Sequence, residues 1–280
     1  MKDRGKHINI EQDTPRYDSP VKGKSNKNQA GSPPASSRSM ILPPIAILLA
    51  IGLSRLYNYL LFHNLVEMFS VVIAFGIFMV AWNSRRFHHS GFFLFIGIAY
   101  SFVGLFDLLH ALSYEGMGVF QEYGPNLSTR LWIVSRSVES VSLLIAPLIT
   151  ERKLNTRLVI PLFTAIPSFL LAAIFLLDIF PHCYIPGTGL TPFKKISEYA
   201  ISLILVAAVV LLLKKRRRFD PGILRLITVS IFLTIASELA FTLYFDVYGL
   251  FNLLGHLLKL VSFYLIYKAL IETGLQQPYT

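Results

Sequence analysis

Eight apolar runs, each about 18–25 residues long, constrain the fold of this sequence more than any other feature. A run of this length crosses the hydrocarbon core of a bilayer as one α-helix. The composition agrees, because 54% of the residues are hydrophobic and only 15% are charged, whereas roughly a quarter of the residues in soluble domains are charged. We therefore predict an all-α integral membrane protein, a bundle of eight transmembrane helices at about residues 41–60, 63–83, 91–114, 129–149, 157–178, 195–213, 222–245 and 250–272.

Basic residues between the runs predict the orientation of the helices. With eight crossings, three basic groups fall on the same side as the basic N-terminal tail: Arg85 and Arg86; Arg152, Lys153 and Arg157; and residues 214–218. Because cytoplasmic loops carry an excess of Lys and Arg, we expect both termini to be cytoplasmic in a multi-pass protein of the cell inner membrane. The net charge of +10 then reflects topology, and we expect the lipid bilayer and no nucleic acid as a partner.

The regions outside the runs are short or poor in apolar residues. Residues 1–40 are rich in Lys, Ser, Asn, Pro and Gly, which predicts a disordered basic cytoplasmic tail. Residues 41–275 form the predicted membrane domain, and residues 276–280 form a C-terminal stub where an effector would begin. The single cysteine, Cys183, cannot form an intramolecular disulfide, and we expect no role for it.

Ionisable residues inside the apolar runs carry the functional prediction. With the predicted topology, they lie about 5–15 Å inside the outer ends of six of the eight helices. Charges at that depth have to pair or become neutral, so they are expected to face the bundle interior. We predict a polar chamber, open or nearly open to the outer face, that senses a ligand or a proton; an ion-pair network that only locks the bundle is the alternative. The predicted site residues are His63, Glu67, Asp107, His110, Arg136, Glu139, Glu198, Glu238, His256 and Lys259.

The first and fifth helices carry almost no polar residues at this depth. The first has only Arg55, and the fifth has Asp178 at its end. We expect these two helices to form the lipid-facing periphery of the bundle.

Three of the predicted site residues are histidines from three different helices. Imidazoles of His63, His110 and His256 could bind zinc, copper or haem iron, with Glu67 or Asp107 as hydrogen-bond acceptors behind them. The sequence has no His-Glu-x-x-His motif and no pair of cysteines to support a metal. Paired or titrating histidines are the alternative interpretation, and the cofactor stays open between none, a metal ion and haem.

Motifs of enzyme chemistry are missing from the sequence. There is no Gly-x-Ser-x-Gly, no phosphate-binding loop and no dinucleotide-binding glycine pattern. Asp107, His110 and Ser113 lie on consecutive turns of one helix, which cannot give the converging geometry of a catalytic triad. We expect the chain not to be an enzyme.

Long strings of the sequence resemble the third class of bacterial membrane-associated sensor domains over about residues 45–275. The strings are LFHNLVEMFSVVIAFGIFMVAWNSRRF (61–87), GIAYSFVGLFDLLHALSYEGMGVF (97–120), LWIVSRSVESVSLLIAP (131–147), LTPFKKISEYAI (190–201) and FTLYFDVYGLFNLLGHLLKLVSFYLIYKALIETGL (241–275). The resemblance implies an N-terminal sensory input module that precedes PAS, histidine kinase, diguanylate cyclase or phosphodiesterase modules. It leaves the stimulus and homodimer formation open.

Together these observations predict a sensory domain that passes a periplasmic or membrane-borne stimulus to a cytoplasmic effector, either fused or separate. The eighth helix is the expected output element, because it holds His256 and Lys259 at one end and leads to the C-terminus at the other. The rival interpretations are a small transporter or channel, a haem-, metal- or quinone-binding membrane protein, and a purely structural anchor. A transporter would need polar residues through the inner leaflet as well, and the sequence has few there.

Overall fold

Eight α-helices make up most of the computed structural model, which describes residues 37–86, 91–243 and 249–276. The helices are α1 (Ser37–Tyr57), α2 (Tyr59–Ser84), α3 (Gly91–Leu112), α4 (Gly124–Ile145), α5 (Thr156–Phe175), α6 (Pro192–Lys214), α7 (Pro221–Thr242) and α8 (Leu250–Gln276). Every predicted run corresponds to one of them. The start of α1 at Ser37 lies inside the predicted tail; the rest of that tail and residues 277–280 lie outside the described residues.

Seven of these helices, α2 to α8, are long and apolar enough to cross a membrane. The part of α1 with described side chains, Ile45–Tyr57, is apolar but shorter. A multi-pass helical membrane fold is therefore supported by the helices themselves. The eighth crossing and the cytoplasmic location of both termini stay predictions.

Polar residues and prolines at the helix starts explain where the helices begin. The Asn58 side chain accepts hydrogen bonds from the amides of Leu60 and Leu61 at the start of α2. Thr191 and Asp220 cap α6 and α7 in the same way, and each is followed by a proline. Proline suits the first helical position because its missing amide hydrogen would have no intrahelical partner there.

The connection between α5 and α6 contains structure that the sequence did not predict. Strands β1 (Tyr184–Ile185) and β2 (Gly189–Leu190) pair antiparallel, with Tyr184 opposite Leu190. The Asn126 side chain in α4 anchors them, since its Oδ1 accepts hydrogen bonds from the amides of Cys183 and Tyr184 at 2.9 and 3.1 Å. The start of α4 at Gly124, five residues before the predicted start, brings Asn126 to this position.

Arg130 and Cys183 are buried beneath this connection. Arg130 donates a 2.7 Å hydrogen bond to Asp178, and this contact lowers the pKa of the Asp178 carboxyl. Burial raises the pKa of the Cys183 thiol to about 12. Both residues therefore belong to the packing between α4 and the connection.

The helices pack as a core of six, with α5 at the edge. The six core helices form a closed ring in which each helix contacts the next, in the order α6, α4, α3, α2, α8, α7 and back to α6. Only Pro167, Ala173 and Ile174 of α5 are buried, so its exposed apolar face agrees with the predicted lipid-facing position. Gly255 allows α8 to approach α7 closely, because an added Cβ would lie 2.5 Å from the ring of Phe241.

Candidate functional site

All ten predicted site residues are buried in the bundle, and His110 is the most exposed at 5%. They come from α2, α3, α4, α6, α7 and α8. The carboxylates and cations lie roughly 6–22 Å along the helix from the ends of their helices, taking the usual rise per residue, and Glu139 is the deepest. The ends in question are the starts of α2, α4, α6 and α8 and the ends of α3 and α7. They lie on one face of the bundle, because successive helices run in opposite directions. The structure thus gathers these residues toward one end of the bundle, with Glu139 about 5 Å deeper along α4 than Arg136.

Arg136 links α4 to α3 at the centre of the site. Its guanidinium donates to both carboxylate oxygens of Asp107, at 2.7 and 2.8 Å, and also pairs with Glu139. Ser135 donates to Asp107 at 2.6 Å, and the Tyr100 hydroxyl donates to Glu139 at 2.8 Å. Each carboxylate therefore has a charged partner and a neutral donor, which is what buried ion pairs require.

Lys259 joins α8 to this pair and to α2. Its Nζ lies 2.6 Å from Glu67 Oε2 and 3.0 Å from Asp107 Oδ2. His256, one turn earlier in α8, places Nδ1 3.0 Å from Glu67 Oε1. We call Glu67, Asp107, Arg136, Glu139, His256 and Lys259 the central cluster. It ties α2, α3, α4 and α8 together by direct contacts.

A second group lies between α6 and α7. Lys194 Nζ is 2.5 Å from Glu198 Oε1 and donates a 2.5 Å hydrogen bond to the carbonyl of Phe241. Glu238 is completely buried, and neither of its carboxyl oxygens has a hydrogen-bond partner among the described residues. Glu198 and Glu238 thus lie beside the central cluster and make none of the ion pairs that define it.

The three histidines meet at the edge of the central cluster. The ring centre of His63 lies 4.7 Å from that of His256 and 5.3 Å from that of His110, and the rings of His110 and His256 are 6.4 Å apart. His63 stacks on Tyr114 with ring centres 3.5 Å apart. One potential ligand atom from each of His63, Glu67 and His256 lies within 4.8 Å of the other two.

The space beside the histidines is small. A cavity of about 30 Å³ is lined by residues from α3, α4, α6, α7 and α8 and by Tyr114. It has room for about two or three water molecules, since a water needs roughly 10–15 Å³. The interior therefore consists of paired side chains around a small cavity. A polar chamber that is open or nearly open to the outer face stays a prediction.

The other half of the bundle is apolar. Phe92, Phe93, Ile96, Leu212 and Ile227 belong to its core. In the described part of the chain, the buried side chains that carry charge lie in the half that holds the cluster, apart from Glu139, which lies just past the middle of α4. The polar contacts between α7 and α8 include hydrogen bonds made by the hydroxyl groups of Ser230, Thr234 and Ser262. This arrangement does not favour the transporter interpretation, which needs a polar path on both sides.

Two residues of the site were missed or misplaced by the sequence reasoning. Lys194 fell just outside the predicted helices, because the sixth helix was predicted to begin at 195 and it begins at Pro192. Its spacing of four residues from Glu198 was the available signal. Ser135 was not considered, because a serine next to an arginine in an apolar helix has no distinctive pattern.

A model of the MASE3 family, described as a membrane-associated sensor domain, matches residues 54–278. No curated protein and no solved structure matches the chain. The family match covers all seven of the long apolar helices and every residue of the central cluster.

Proposed function

Since the chain belongs to the MASE3 family of membrane-associated sensor domains, we propose that the central cluster is the stimulus-responsive site of a sensory input domain. The family match confirms the resemblance found in the sequence and supports the sensory role. The observation that carries the assignment to this site is the position of Lys259. One ammonium group of α8 holds carboxylates of both α2 and α3.

A stimulus that changes these contacts changes how firmly α8 is held. Removing one partner of a buried ion pair leaves an uncompensated charge and costs about 3–5 kcal/mol. A shift between two arrangements of the bundle needs only a few kcal/mol of differential binding. The pairs around Lys259 are therefore strong enough to set the balance between two positions of α8.

Helix α8 is also suited to carry the change away from the cluster. It runs without a break from Leu250 to Gln276. Next to α7, the Ser262 hydroxyl lies 2.9 Å from that of Ser230 and 2.7 Å from that of Thr234. These contacts join α7 and α8 below the cluster, so the two helices would move as a unit toward a cytoplasmic kinase, diguanylate cyclase or phosphodiesterase, fused or separate.

The proposed orientation places the cluster in the periplasmic half of the membrane. The basic groups at 152–157 and 214–218 lie at the opposite end of the helices, as the positive-inside rule requires of the cytoplasmic side. With this orientation, the stimulus reaches the cluster from the periplasm or the membrane, and both termini are cytoplasmic.

The test is a fusion of this chain to a diguanylate cyclase whose product is measured in cells. Lys259→Met removes the charge that joins α2, α3 and α8 and is expected to shift the output at least several-fold. Lys195→Met, at an exposed position of α6, is the matched control and should leave the output unchanged. If the Lys259→Met fusion reached the membrane at the normal level and gave wild-type output, the central cluster would not be the responsive site.

A further inference from the structure

The imidazole groups of His63 and His110 leave ring nitrogens without partners among the described residues in the interior of the bundle. Both ring nitrogens of His63 and Nε2 of His110 are buried and make no hydrogen bond within the described residues. Buried polar atoms in native proteins nearly always have a partner, so several unsatisfied nitrogens in one place indicate a missing binding partner. These nitrogens lie on side chains from two different helices that meet at one point.

The other nitrogens of two of these rings are held in the way that metal-binding histidines are held. His110 Nδ1 lies 2.7 Å from the carbonyl oxygen of Ser128, and His256 Nδ1 lies 3.0 Å from Glu67 Oε1. When Nδ1 donates to a carbonyl or a carboxylate, Nε2 carries the free lone pair. Acceptors of these two kinds orient histidine ligands in most metal sites and fix the tautomer that binds the metal.

The distances between the rings fit a common ion. With metal–nitrogen bonds of about 2.0–2.1 Å and the ring centre about 1.1 Å further out, tetrahedral imidazole ligands have ring centres about 5 Å apart. The observed separations of 4.7, 5.3 and 6.4 Å bracket this value. The Glu67 carboxylate lies behind His256, at Nδ1, and so orients that ring instead of occupying the fourth position of the ion.

The charge of the central cluster favours a cation beside it. Three carboxylates, those of Glu67, Asp107 and Glu139, face the two cations of Arg136 and Lys259 when His256 is neutral. The cluster then carries one net negative charge, and buried charge without compensation is strongly unfavourable. A metal cation bound by the neighbouring neutral imidazoles would offset this charge.

We propose that His63, His110 and His256 bind one divalent transition-metal ion of the Zn²⁺ type, with Glu67 orienting the His256 ring behind them. Three imidazole nitrogens without thiolate suit Zn²⁺ and other first-row ions that prefer nitrogen donors. The small cavity next to His110 and His256 has room for a water molecule as the fourth ligand. As a statement of what the domain senses, this inference rests on the proposed function; as a statement of metal binding, it is tested on the purified chain alone.

The experiment measures Zn²⁺ bound to the full chain in lipid nanodiscs after treatment with a chelator and reloading with Zn²⁺. We expect about one ion per chain for the wild type. His63→Ala and His256→Ala should lose the ion, and Glu67→Gln should bind it about 10–100-fold more weakly. The matched control is His182→Ala, since His182 is exposed and contacts Asn126 in another part of the molecule.

Folding and the proposed function are separated from metal binding by two further measurements. His63→Gln keeps a polar side chain of similar size, so a variant that elutes and unfolds like the wild type but binds no Zn²⁺ supports the site. Wild-type protein that retains no Zn²⁺, or His63→Ala and His182→Ala proteins that retain it equally, overturns the metal site. If Zn²⁺ binds as expected but does not change the output of the cyclase fusion, the metal site stands and its role as the stimulus is rejected.

Discussion

Replacing Arg136 by methionine is expected to destabilise the bundle more than any other single change in a charged residue. The guanidinium is 1% exposed and contacts Asp107 and Glu139, which are also buried. Methionine keeps most of the volume but leaves the two carboxylates beside each other. Asp107 then retains Lys259, whereas the Tyr100 hydroxyl is the partner that Glu139 keeps among the described residues. Breaking a buried pair in this way costs about 3–5 kcal/mol.

The expected loss is large enough to measure by thermal unfolding in a mild detergent. A change of 1 kcal/mol shifts the Tm of a domain of about 150–250 residues by roughly 2–4 °C, so Arg136→Met should lower the Tm by roughly 6–20 °C. The Arg136→Met/Glu139→Gln double variant should recover part of this loss, because it also removes the carboxylate that lost its cation.

Arg218→Met is the control for the removal of an arginine from an ion pair. Arg218 pairs with Glu151, but their side chains are 60% and 48% exposed. Exposed pairs contribute about 0–1 kcal/mol, so the Tm should change by no more than a few degrees. Equal Tm values for the Arg136→Met and Arg218→Met proteins would refute the view that the central cluster is a closely paired buried network.

Two further predictions concern the packing around the site. The Cys183 thiol, with its pKa raised to about 12, should react very slowly with maleimide at pH 7, since the thiolate is the nucleophile. Its rate should rise about tenfold for each unit by which the pH is increased toward 12. Asn126→Ala should speed the reaction at pH 7 by releasing the backbone of Cys183, and equal rates in the two proteins would contradict this role of Asn126. Gly255→Ala should lower stability by about 1–3 kcal/mol, because the new methyl group meets the Phe241 ring. Gly52→Ala, at a helix position with open space, is the control and should be neutral or slightly stabilising in the same unfolding assay.

The helices were predictable because their signals are local. An apolar run, followed by a capping residue and a proline as at Asp220 and Pro221, marks a helix whatever lies around it. The gathering of polar residues at one height followed from the same reasoning, since alternating helices of known length place Glu67, Asp107 and Lys259 near one end of the bundle. No knowledge of tertiary contacts was needed for either prediction.

The partner of each charged residue could not be predicted, because it depends on how the helices are rotated and on which neighbours they have. Glu67 could have paired with Arg136 as well as with Lys259, and only the packing of α2 against α8 decides between them. For the same reason, the sequence could not show that Glu238 has no hydrogen-bond partner among the described residues. The hairpin after α5 depends on Asn126, a residue about 60 positions earlier, and thus on a contact that no local pattern encodes.

The unbroken course of α8 has a mechanical consequence. Gln276 lies 17 residues beyond Lys259, about 25 Å along a stiff rod. If the rod pivots by about 5° at Lys259, its far end sweeps sideways by about 2 Å, a distance comparable to the helix displacements at switching interfaces. Leverage of this kind lets sub-ångström adjustments of side chains at one end become a backbone displacement at the other.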